Sequence, residues 1–192
     1  LANDAAPEQW ARSFQQFLHD QALTLPRGAL KMRWISNHDT VSWTFQKQRP
    51  RQAYGLERMR ALLALCALIE GVPMLYQGDE DPAVYGGEGD SNVEYLARLY
   101  GLRKQLAMLR EGAADYSSVQ ATGGVYACLR TKGSEHALVL ISFNPAAIQT
   151  EVSLPAEVKG LMQDALSGEQ LDGTDPVRVP LAPYQTRVLI SP

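Results

Sequence analysis

Cysteine is nearly missing from this chain, with two residues, Cys66 and Cys128, in 192. Neither belongs to a CxxC pair or lies near a histidine, which removes a disulfide scaffold and a thiolate zinc site from consideration. Each sits in an apolar run, so both are expected as buried free thiols. Charge of one sign is also scarce. Eighteen Lys and Arg against 21 Asp and Glu give a net charge of -3 with no basic stripe, so neither nucleic acid nor a membrane is an expected partner. Long hydrophobic runs are missing too. The longest candidate, residues 61–69, falls far short of a bilayer span, and no charged start with an apolar core marks a secretory leader. The chain starts at Leu1 rather than Met, which leaves open that it has been cut. Its compartment stays unassigned, the two unpaired cysteines favouring the cytoplasm only slightly.

What is present suits an ordinary globular protein, with 45% hydrophobic and 20% charged residues. Pro7 opens a helical pattern carried by Trp10, Phe14, Phe17 and Leu18, and Pro26 and Gly28 close it. Residues 30–35 are β-prone, and a loop with Pro50 and Arg51 follows. Residues 56–70 (LERMRALLALCALIE) are helical and apolar nearly all round, which predicts deep packing up to the stop at Gly71 and Pro73. A short strand over 72–76 leads into the acidic, glycine-rich loop QGDEDPAVYGGEGDS. A long helix over about 93–110 then carries Leu96, Leu99, Leu102, Leu106 and Leu109 on one stripe. From Asp115 the texture changes to VYACLR, HALVLISF, TEVSL, VRVPL and TRVLI between turn residues, which predicts an antiparallel β-sandwich. The expected organisation is therefore an α/β part over residues 1–112 and an all-β part over 113–192. Two parallel strands joined by crossover helices do not make a stable sheet alone, so the first part reads as a piece of something larger.

Two stretches could carry chemistry. Asn37, His38 and Asp39 end the first strand, at the C-terminal side where α/β folds gather ligands, and an imidazole beside a carboxylate can bind hydroxyls and hold charge. The plain alternative is a polar strand exit with turn hydrogen bonds. GVPMLYQGDE repeats the arrangement at the second strand, with Asp79, Glu80 and Asp81 as paired acids or hard-cation ligands and Glu88 and Asp90 on the same loop. For Asp81, Glu88 and Asp90 a solvated acidic loop is the stronger reading. No phosphate-binding glycine loop and no serine nucleophile elbow are present.

WISNHDT, then GVPMLYQGDE about thirty residues on, then LARLYGLRKQLAMLREG, resembles the α-amylase superfamily of glycoside hydrolases and transglycosidases. In that family an Asn-His-Asp closes the seventh strand of a (β/α)8 barrel and a Gly-x-Pro-x-x-Tyr-x-Gly-x-Glu run forms the eighth. A Leu- and Arg-rich helix then enters the sandwich called domain C. VYACLR, HALVLISFN, LSGEQLDG and LAPYQTRVLI resemble that domain's first strands, middle turn and closing strand. The resemblance implies the last two strand-helix units of a TIM barrel followed by domain C. It makes His38 a sugar-hydroxyl contact near the cleaved bond, Asp39 the supporting third carboxylate and Asn37 an orienter. Tyr76, Gly78 and Glu80 then shape the barrel mouth. It assigns no metal to these residues and no cofactor, leaving a structural calcium open for the parent.

A retaining glycosidase needs a nucleophile and a general acid about 5 Å apart. The family takes both, with an arginine, from strands that would precede Leu1, so the chain alone is expected to be inactive. The expected substrate of the parent is an α-glucan, a maltooligosaccharide or a sucrose-like α-glucoside. Which of hydrolysis, transfer and isomerisation it performs stays open. A second reading is a non-catalytic carbohydrate-binding or assembly module, with Tyr116, Tyr126 and Tyr184 as exposed aromatic candidates, most of which are expected to pack or cap rather than to stack on sugars. Uncovered barrel strands predict self-association.

Overall fold

In a computed structural model the described residues are 6–26, 28–42, 48–155, 158, 160, 162–172 and 176–190. The first helix, α1 (Pro7–Thr24), starts with Pro7 in the first turn, where its missing N–H costs nothing. It ends because Pro26 forces Leu25 into an extended conformation. Ala11 and Leu18 are buried and Trp10 and Phe14 pack on the core, whereas Phe17, expected on the same stripe, is half exposed.

Strand β1 (Met32–Arg33) pairs in parallel with β2 (Val72–Pro73), Met32 opposite Val72 and Arg33 opposite Pro73. Both are shorter than the sequence suggests, because two residues in each are all that find a partner. The amides of Val72 and Met74 donate to the carbonyls of Lys31 (2.7 Å) and Arg33 (2.8 Å), so the intervening Pro73, which has no N–H, removes no bond between the two strands. The crossover contains α2 (His38–Ser42), α3 (Pro50–Tyr54) and α4 (Leu56–Leu68). Helix α3 replaces the loop expected around Pro50, and residues 43–47 of that loop lie outside the described residues. At Gly71 (φ 116°) a Cβ would meet the Lys31 carbonyl, so glycine is what lets β2 lie beside β1.

Met59 and every residue from Ala61 to Leu68 on α4 are buried. The helix needs no polar face because two groups of neighbours cover it. Ala61, Leu62, Leu65 and Leu68 join Leu18, Leu99 and Leu109 in the main core, while Met59 and Leu63 meet Leu96, Ile35 and Leu75. After a 3-10 turn (Pro82–Tyr85) come α5 (Val93–Gln105) and α6 (Ala107–Glu111). The expected single helix breaks at Leu106, whose backbone is extended. The Arg110 guanidinium, on the far side of the break, donates to the carbonyls of Arg103 (3.3 Å) and Lys104 that α5 leaves open.

The rest of the chain folds as two antiparallel sheets. One has the order β3 (Ala113–Asp115), β5 (Val125–Lys132), β6 (Glu135–Ser142), β11 (Thr186–Ile190), β8 (Met162–Asp164), β9 (Gln170–Leu171). The other has the order β10 (Val177–Leu181), β7 (Ile148–Ser153), β4 (Gln120–Ala121). All five expected runs are strands, and four short ones, β3, β4, β8 and β9, had no clear apolar alternation to reveal them. Val125, Ala127, Leu129, Leu138 and Leu140 face the second sheet. Tyr126, Cys128, Val139 and Ile141 face the helices. A sheet covered on both sides explains why VYACLR and HALVLIS read as unbroken apolar runs. Both cysteines are free and buried, and burial pushes each thiol up to about 12.

Candidate functional site

The parallel pairing of β1 and β2 brings the two chemistry-bearing stretches to the same end of the sheet. Asn37 caps α2: its Oδ1 accepts from the Thr40 amide at 2.9 Å, and its own amide donates to Thr40 Oγ1 at 2.8 Å. His38 and Asp39 therefore occupy the first helical turn rather than a strand end. Their side chains are 75% and 63% exposed, with His38 Nε2 3.3 Å from Asp39 Oδ1. They are joined to each other and open to solvent, which leaves both free to meet a ligand.

The second stretch is buried where the first is open. Ser36, directly before the cap, donates from Oγ to Asp79 Oδ2 at 2.6 Å, and both residues are buried. Burial pushes the Asp79 carboxyl above the ordinary carboxylate range. The Ser36 hydrogen bond and the Arg49 guanidinium oppose that shift, while the neighbouring Glu80 adds to it. Among the described residues Asp79 Oδ1 has no hydrogen-bond partner. The following loop is pinned: Asn92 Nδ2 donates to the Asp79 carbonyl (3.1 Å), the Asn92 amide to the Glu80 carbonyl (2.7 Å), and Arg60 Nε to Asn92 Oδ1 (3.1 Å).

Tyr76, Gly78 and Glu80 are neighbours in a tight turn. Glu80 Oε2 accepts from the Gly78 amide at 2.7 Å, so this carboxylate is spent locally. Gly78 has φ 94°, and a Cβ there would strike the Tyr85 ring. The Arg49 guanidinium lies 3.9 Å from the Tyr85 ring centroid and 5.1 Å from that of Tyr76, and donates to the Gln77 carbonyl at 2.8 Å. Asp81 caps the 3-10 turn through the Ala83 amide (2.8 Å). Among the described residues no three His, Cys, Asp or Glu side chains gather as a cation cage.

Ser36, Arg49, Tyr85 and Asn92 were not singled out by the sequence. Ser36 lies next to the motif, and its proximity was a usable signal; the others reach the strand ends from distant loops and carry none. Tyr116 and Tyr126 are buried, which corrects the expectation that they are exposed, and Tyr184 is half-buried. A cleft of about 850 Å³ opens elsewhere, between α1 and the three-stranded sheet, lined by Arg12, Gln15, His19, Gln120, Thr122 and Glu151 among others. It includes none of the strand-end residues.

No protein-family model and no curated protein matches the sequence. Solved structures do. An α-amylase from Anoxybacillus aligns over 96% of this chain at 18% identity with a TM-score of 0.72. An α-amylase from Geobacillus thermoleovorans, solved with acarbose, aligns over 93% at 18% identity and 0.71. A debranching enzyme from Nostoc punctiforme aligns over 94% at 20% identity and 0.67. The chain spans 45%, 42% and 40% of those three structures. Helices followed by antiparallel sheets are thus the fold it shares with part of each of these α-amylase-family enzymes.

Proposed function

We propose that the chain is the C-terminal part of an α-amylase-superfamily enzyme acting on α-glucosidic bonds. Residues 1–112 form the last two strand-helix units of its (β/α)8 barrel and 113–192 its domain C. One observation carries this reading: β1 and β2, paired in parallel, present WISNHD and LYQGDE at one end of the sheet. The near-complete alignment with under half of each amylase-type structure supports it.

In this reading His38 contacts a hydroxyl of the sugar at the point of attack, and Asp39 grips ring hydroxyls. Such bonds strengthen as the ring distorts toward an oxocarbenium ion, and a nearby negative charge helps a general acid keep its proton. The nucleophile and that general acid come from another part of the parent, so this chain alone turns over nothing. Tyr76, Gly78 and Glu80 hold the shape of the barrel mouth. The substrate class is an α-glucan or maltooligosaccharide, a reading supported by similar structures solved with acarbose and with maltotriose.

The test is direct. Pure 192-residue protein releases no reducing sugar from maltooligosaccharides or sucrose, and measurable turnover overturns the assignment. Joined to an upstream barrel segment that carries the two missing carboxylates, it gains turnover, and Asp39→Asn then lowers kcat by about a hundredfold. Equal rates remove Asp39 from the site.

A further inference from the structure

We propose that Asp79 is a positioning residue, which grips Ser36 and through it fixes the turn that carries His38 and Asp39. The inference rests on the reading of those two residues as substrate-facing, but its geometry stands independently of it. The turn has its own cap, Asn37 with Thr40, which holds residues 37–40 together only while the segment before it is fixed, and which does not itself fix that segment relative to β2. Among the described residues two residue pairs join the strands, and they stop at Arg33 and Pro73, with residues 34–36 between Arg33 and the turn. The amide of Met74 donates to Arg33 at 2.8 Å, the last backbone bond between the two segments. Beyond it, among the described residues, the polar connection is Ser36 Oγ to Asp79 Oδ2, at a length typical of a hydroxyl donating to a carboxylate.

Asp79 can serve as the anchor because its own backbone is fixed. Its amide donates to the Tyr76 carbonyl at 3.0 Å, and its carbonyl accepts from Asn92, which Arg60 on α4 holds in turn. A buried acid with one oxygen unpartnered is costly, and a sheet stabiliser would be better served by an apolar side chain. A device that orients a neighbouring segment needs a polar bond there.

Amide hydrogen exchange on the 192-residue protein tests this with no sugar present, so its outcome is separate from that of the activity assays. Ser36→Ala accelerates exchange of the Thr40 amide about tenfold while the amides of residues 62–68 on α4 keep their protection. Asp79→Ala does the same, Asp79→Asn, which retains an acceptor oxygen, restores protection, and the Ser36→Ala/Asp79→Ala double variant adds nothing further. Unchanged Thr40 exchange in Ser36→Ala overturns the proposal. So does loss of protection spread evenly over Thr40 and α4, or a failure of Asp79→Asn to restore it.

Discussion

Asp79 holds a carboxyl group in a place that disfavours its charge. Because burial raises its folded pKa above the ordinary 3.8, its contribution to stability is fully present below that value and is lost as pH rises through the raised folded value. The groups acting on it are Ser36 and Arg49, which favour the charge, and Glu80, which opposes it, while Cys66 on α4 and Tyr100 on α5 feel it in return. Asp79→Asn therefore raises the thermal midpoint at pH 7, and its advantage over the native protein shrinks as pH falls through the raised folded value and is gone below 3.8, read by circular dichroism across a pH series. An advantage that stays constant with pH would assign the gain to packing instead. Legibility at this scale was uneven. Asn37, His38 and Asp39 announce themselves as a polar cluster on a strand exit, but the depth that separates Asp79 from Asp81 is set by distant α4 and α5 and leaves no mark in QGDED.

The helices are held by arginines at their ends. Arg103, buried on α5, donates to the carbonyls of Ala67 (2.8 Å), Ile69 (3.1 Å) and Gly71 (2.6 Å), closing the C-terminus of α4. Arg130, buried on β5, does the same for α6 through Leu109 (3.3 Å) and Gly112 (2.9 Å), and Arg110 closes α5. Removing Arg103 leaves two buried carbonyls and one half-buried one with a lost partner, so Arg103→Met costs roughly 3 kcal/mol, measured by urea denaturation. A change below about 0.5 kcal/mol would mean that water replaces the guanidinium. Helix α4 was readable because eight consecutive apolar residues can only be buried. The break at Leu106 was not: the leucine stripe continues through it, and what bends the chain there is the reach of Arg110 back over the end of α5.

For the whole molecule, the exposed side of the small parallel sheet is the outstanding feature. Leu30, Met32 and Trp34 alternate along one face and are exposed, with Val72 opposite Met32. Together they form an apolar surface that water covers poorly. The protein is expected to self-associate in sedimentation at micromolar concentration, and Leu30→Lys with Met32→Lys returns it to a monomer. A native protein that sediments as a clean monomer would refute this. The alternation from helices to strands was legible because apolar periodicity switches near residue 112, but the sequence did not show that one hydrophobic cluster runs through both halves. Tyr126, Cys128 and Val139 of the sandwich meet Leu18, Leu65 and Leu109 of the helices in that cluster. The sandwich is therefore no detachable appendix: each substitution on its helix-facing side must be matched on α1, α4 or α6, and relatives could trade the two halves only as a fitted pair.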